Sequence, residues 1–237
     1  MPASIGRFRE DYRDREIPAG YRGGRHLALT FGAGLIAWAA CVWQLQEVTR
    51  WEWLTSPLAL LYANLVEYLG HRYPMHRPFK PLAVVYRRHA GQHHRFFNHV
   101  AMPIDDLRDL RAVLFPPVLV IFFFGLFGVP VWWWLAWTLS ANVAWLFIAT
   151  SLAYFLNYEI LHLAYHLPAG HWLARRWLVR RLHWLHRLHH DPRRMALCNF
   201  NITYPLGDWL FGTLHREPET GNLSAAASDN ARDSRPG

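Results

Sequence analysis

Apolar residues along the chain gather into three blocks separated by strongly charged stretches. The first block runs from about residue 26 to 45, close to one bilayer thickness of helix. A polar link over residues 46–52 leads into a second block from about 53 to 69. The third, Ala112 to Leu156, covers 45 residues, enough for two spans of roughly 20 residues each. Gly128 and Pro130 mark a turn between those two spans. The run VLVIFFFGLFG is apolar on every helical face, as a lipid-facing helix is and a helix on a soluble core is not. The pattern therefore predicts an all-α integral membrane protein. Its four transmembrane helices would form two hairpins, about 27–46 with 53–70 and about 112–127 with 131–156. Residues 1–26 read as an N-terminal arm and 27–216 as one membrane domain. Residues 217–237, without apolar periodicity, read as a disordered tail.

Charge adds sidedness to this picture. Of the 25 Lys and Arg, six precede residue 27, eight lie in 71–111 and ten follow residue 157, which leaves only Arg50 in a link between paired spans. By the positive-inside rule both termini and the 71–111 segment are expected on the cytoplasmic side of what we take as a bacterial inner membrane. Trp51, Trp53, Trp132, Trp133 and Trp134 fall at the opposite boundary, where an aromatic belt is expected. A formal charge of +8 beside such long apolar blocks suits anionic headgroups and argues against a nucleic-acid partner. Cys41 and Cys198 are the two cysteines, and their separation excludes a disulfide scaffold or a Cys-based zinc pattern. The charged N-terminus lacks the apolar core of a cleaved signal peptide. Gly32-Ala-Gly34, inside the first span, reads as helix packing, and the chain carries no dinucleotide fingerprint.

The candidate chemistry lies in histidine. Of 15 histidines, His26 begins the first span and the other 14 fall in 71–111 or after Leu156, on the face that charge assigns to the cytoplasm. Four clusters hold most of them: His71 with His76; His89, His93 and His94; His162 with His166; and His183, His186, His189 and His190. His162 and His166 are i, i+4, so their Cβ atoms lie about 5–6 Å apart on one face. His89 and His93 share that relation. His186, His189 and His190 converge on one stripe, which His183 extends by a turn as a possible extra ligand. The spacing of His71 and His76 does not place them on one helical face, and Pro74 is expected to end the helix there and let His76 swing back. A single cluster has an ordinary reading, since RRWLVRRLHWLHRLHH would also suit a helix lying on anionic lipid. Four clusters at one face point to a metal site, and ten or more histidines exceed what one ion takes, which implies two. Imidazole suits iron, zinc, copper or nickel. Glu159 and Asp191, each beside a cluster, are candidates to orient a ligand imidazole from behind.

At these residues the sequence resembles the fatty acid hydroxylase/sterol desaturase superfamily of membrane di-iron enzymes, and within it fatty acid 2-hydroxylases. The resemblance covers roughly residues 60–215. It rests on HxxxxH at His71–His76, GQHH at Gly91–His94, LFPP at Leu114–Pro117, YExxHxxxH at Tyr158–His166, HxxHH at His186–His190 and NFNITYPLGDWLFGT at Asn199–Thr213. It implies ten ligands: His71, His76, His89, His93, His94, His162, His166, His186, His189 and His190. It also implies a helical cap on the cytoplasmic side carrying two Fe ions, with zinc able to replace them in a preparation, and O2 as co-substrate. The second box departs from the family's usual HxxHH by one residue, which moves His89 relative to the pattern, and the family's fused small cytochrome domain is absent. The activity implied is O2-dependent hydroxylation of an unactivated C–H in a lipid or fatty-acyl substrate. Electrons would come from an external donor, a ferredoxin or a small cytochrome with its reductase. A desaturase with the same metal set is the alternative within the class. A non-catalytic metal-binding or transport protein is the alternative outside it, though the mid-membrane polar residues that transport needs are sparse.

Overall fold

The computed structural model describes residues 2–215; the tail expected over 217–237 lies outside the described residues. Helix α1 spans Ala3–Arg15, α2 Gly23–Trp43 and α3 Thr55–Gly70. After a histidine-rich stretch of short turns come α4 (Pro117–Phe123) and α5 (Val129–Thr138), joined into one rod through a wide turn at Phe124–Gly128. The long α6 (Ala141–Tyr165), α7 (Trp177–His189) and the short α8 (Leu206–Leu210) complete the order. Helix is the only extended secondary structure among the described residues; a single isolated bridge joins Asn98 and Ala101.

Among the described residues three helices are long and apolar enough to cross a membrane, Gly23–Trp43, Val120–Thr138 and Ala141–Tyr165. The expected span over 53–70 is shorter. Its α-helix is 16 residues, about 24 Å at 1.5 Å per residue, against a hydrocarbon core of about 30 Å. The position of one turn is corrected. The turn between the last two spans is not at Gly128 and Pro130 but at Leu139–Ser140, where the backbone leaves the helical region. Pro130 lacks the N–H an α-helix needs there, and the wide turn just before it accommodates the gap without ending the rod. Ser140 starts α6 by accepting the Val143 N–H at 3.2 Å.

Helix α6 is the central post, packed against α2, α3, α5 and α7. Small side chains at Ala144 and Ala149 are buried along it. Gly34 of α2 lets the two helices approach, because a Cβ there would stand 2.6 Å from Leu156 Cδ2; Gly32 meets nothing within 4 Å. At one end of the bundle the interhelix turns are tied together. Ser140 donates to Glu52 at 2.6 Å, and the Asn142 amide to the Gln46 carbonyl at 2.7 Å. At the other end the histidine-rich stretch, α7 and the segment 198–208 form a cap over the helix ends. Helix α1 lies on this cap, where Tyr12 and Ile17 join Phe96, Phe97, Ala112 and Val113 in a buried cluster.

Candidate metal centre

Ten imidazoles converge under the cap. His71, His76, His89, His94 and His189 each bring one ring nitrogen within 4.8 Å of the others, and His93, His166, His186 and His190 form a second group by the same measure. His162 adjoins the second group, its Nε2 3.3 Å from that of His93. All ten are buried.

Backbone geometry explains how uneven spacings reach one place. Pro74 does not end the helix at the first pair; it sits inside a wide π-type turn over His71–Met75. A turn with i→i+5 closure brings residues five apart onto one side, and the Nε2 atoms of His71 and His76 are 3.1 Å apart. The same device recurs at Arg87–His93, where His89 and His94 hold their Nε2 atoms at 3.0 Å. The extra residue of the second box is taken up in that turn, and His89 Nε2 lies 2.8 Å from His71 Nε2. The adjacent pairs divide their labour. His94 and His189 enter the first group while His93 and His190 enter the second, since neighbouring side chains diverge by about 100° around a helix.

The backs of the rings are held by backbone carbonyls. The Nδ1–H groups of His93, His166 and His189 donate to the carbonyls of Ala112 (2.8 Å), Met102 (2.9 Å) and Cys198 (2.9 Å). His71 and His190 donate likewise to Phe200 and Phe97. A carbonyl only accepts, so in these five rings Nδ1 carries the proton and Nε2 presents a bare lone pair to the interior. Burial drives the ring pKa values down, to about 4 for His93 and His189. His71, His89, His94, His166, His186 and His190 are depressed further, burial again dominating with the neighbouring imidazoles adding to it. The rings are thus neutral near pH 7. His93 and His190 then face each other with two lone pairs 3.2 Å apart and no proton between them. Protein alone does not satisfy such a contact; a cation held by both nitrogens does. With imidazole as the donor in both groups, the set fits a borderline transition metal.

Three other candidates stand elsewhere. Both Glu159 oxygens lie 3.4 Å from the Phe115 N–H, so this buried carboxylate fastens the LFPP break at the head of α4. Asp191 accepts the Arg193 N–H at 3.0 Å and pairs with Arg194 at 3.9 Å. Neither carboxylate meets a clustered imidazole among the described residues; the carbonyls do the orienting. His183 lies outside both groups and stacks on Tyr165 instead.

Two carboxylates that sequence reasoning left aside do support the centre. Glu67 accepts the Thr203 N–H (3.0 Å) and hydroxyl (2.6 Å), the Ile202 N–H and the Tyr154 hydroxyl. Asp208 accepts the Phe200 N–H at 2.9 Å and the Asn201 N–H at 2.7 Å. Together they hold the segment whose Phe200 and Cys198 carbonyls receive His71 and His189. Gly207 allows α8 to lie on α3, since a Cβ there would meet Tyr68 at 2.7 Å. The conspicuous Asp of the closing motif was the available signal for Asp208.

An apolar cavity of about 530 Å³ runs between α3, the α4–α5 rod and α6, walled by residues such as Tyr62, Val66, Phe124, Phe147 and Phe155, and reaches His71 and Pro74. A smaller space of about 50 Å³ adjoins His89, His93 and His162. Met75, Val85, Phe115 and Tyr158 line both.

Helices apolar enough to cross a membrane, buried histidine groups that could hold metal ions and an apolar cavity lined in part by His71 define a class of helical proteins consistent with a membrane setting. Residues 56–213 match the fatty acid hydroxylase family. That segment is most of the chain, and the protein belongs to this family. No curated protein and no solved structure matches the chain.

Proposed function

We propose that the protein is a di-iron oxygenase that hydroxylates an unactivated C–H of a lipid acyl chain. The observation that carries this reading is the apolar cavity of about 530 Å³ whose lining includes His71 of the first group, within the range of about 300–1,000 Å³ usual for small-molecule sites. Two irons, when bound, would supply O2 activation and oxygen insertion into the C–H bond. In balance, R–H, O2, two electrons and two protons give R–OH and water. The ten histidines named above would hold the metals. Tyr62, Val66, Phe147 and Phe155 would hold the chain in apolar surroundings and exclude water, and Phe115 and Tyr158 would stand where both cavities meet. The carbonyls of Phe97, Met102, Ala112, Cys198 and Phe200 keep the Nδ1 protons in place, so that Nε2 stays free for metal. The electrons would come from a separate ferredoxin or small cytochrome with its reductase, reaching a cytoplasmic-facing centre.

The test is expression with iron in a host whose lipids are then compared between wild type and His189→Ala by mass spectrometry. A His189-dependent gain of +16 in a lipid supports hydroxylation. A loss of 2 would move the protein to the desaturases, and no His189-dependent change would remove the enzymatic reading.

A further inference from the structure

We infer that Arg9, in the N-terminal helix outside the matched family segment, is a positioning residue for the second histidine group and not for the first. The inference rests on the two-metal reading above. Arg9 is 2% exposed, and an arginine held that deep needs partners for its guanidinium. It donates from Nε to the Phe96 carbonyl at 2.9 Å, from one terminal nitrogen to the Ala101 carbonyl at 2.6 Å and from the other to Asp105 at 2.9 Å. The guanidinium also lies 4.8 Å and 5.4 Å from the ring centres of Phe96 and Phe97. One side chain thereby fastens the loop 96–105 at its start, middle and end.

The carbonyls of that loop orient imidazoles of one group. Its Phe97 carbonyl receives the His190 Nδ1–H and its Met102 carbonyl the His166 Nδ1–H. The Ile104 N–H returns to the His166 carbonyl at 2.8 Å, and the Phe97 ring lies 4.1 Å from the His166 ring. His166 and His190 are half of the second group. In the first group, by contrast, His71 and His189 take their carbonyls from Phe200 and Cys198, in a segment held by Asp208 and Glu67. The planar fork that reaches three acceptors belongs to arginine; lysine offers a single point charge.

The experiment is iron binding to purified full-length protein under graded chelator competition, with the spin state of bound ferric iron read in parallel. Arg9→Met is expected to keep one ion at wild-type affinity and weaken the other by about 10–100-fold, the usual effect of losing support behind a ligand. A signal of isolated high-spin ferric iron should then replace that of a coupled pair. Arg9→Lys should weaken the same ion less. Equal weakening of both ions, or of neither, would overturn the inference. If Arg9→Met does not yield folded protein, Arg9→Lys decides by the same criterion. Wild-type protein binding fewer than two ions would instead sink the two-metal reading itself.

Discussion

Replacing Asp208 by Asn probes the opposite side of the centre with an almost isosteric change. Asp208 is 1% exposed, and every group around its carboxylate is a donor. The Phe200 N–H (2.9 Å) and Thr213 hydroxyl (2.7 Å) meet Oδ1, and the Asn201 N–H (2.7 Å) meets Oδ2. Three converging donors and no acceptor require the carboxylate form; an amide would turn its NH2 against at least one of them. A buried N–H left unpaired costs about 1–3 kcal/mol, and the loss of charge assistance puts the expected destabilisation near the upper part of that range, about 2–3 kcal/mol. The consequence for the site is sharper than for the fold. The same Phe200 residue offers its carbonyl to His71 Nδ1–H, so a shifted Phe200 peptide releases the ring orientation of a first-group histidine. Metal held by that group should weaken by about 10–100-fold while the second ion stays, the mirror of the outcome expected for Arg9→Met. Chelator competition on the purified protein reads the metal, and thermal unfolding of the metal-free form reads the fold. Wild-type affinity for both ions in Asp208→Asn would refute the idea that this peptide orients the centre.

Three further outcomes are expected. Gly34→Val should lower the thermal stability of the detergent-solubilised protein by about 1–3 kcal/mol, because any Cβ at residue 34 enters Leu156. Gly32→Ala should have no comparable effect, and equal behaviour of the two would contradict the close α2–α6 approach. Ser151 lines the apolar cavity, so Ser151→Phe should shift product profiles toward shorter acyl chains with the metal content unchanged; an unaltered chain-length profile would place the substrate elsewhere. For metal-free protein, burial holds His93 and His189 at about 4 against an ordinary 6.5. Below 6.5 the unfolded chain takes up protons that the fold refuses until about 4, so stability is full above 6.5 and declines as pH falls through that window. A melting temperature that rises between pH 7 and 5 would count against neutral buried rings.

Much of the site was legible because histidine is costly to gather without a purpose, and its positions are written in the chain. Helical spacing accounts for His162 with His166 and for the stripe of His186, His189 and His190. It does not account for residues five apart, because the wide turns at His71–Met75 and Arg87–His93 have no spacing signature. The partners of the rings were equally hidden. Glu159 and Asp191 looked apt as charged neighbours, yet the orienting groups are carbonyls, which every residue possesses. The spans were legible as blocks, but their ends were not. Gly128 and Pro130 are strong turn signals by composition, and the rod passes through them because a wide turn takes up the missing N–H. Ser140, the true start of α6, is a weaker mark of the same kind.

Helix α7 shows why the histidine centre and the membrane surface need not be competing explanations of one basic segment. Its Arg180, Arg181 and Arg187 are exposed and Trp177 stands outward, as an interfacial helix requires. Its other side carries His186 and His189, both buried, with His190 at its end. His189 belongs to the first group and His186 and His190 to the second, so each group contains a residue contributed by α7. The first group's remaining members lie within 71–94, and the second group needs His93 from the same stretch. Neither group is therefore complete until α7 has docked against that stretch. Undocking of α7 as a whole would therefore take ligands from both groups together, whereas loss of the support behind a single ring would act on the group that ring belongs to.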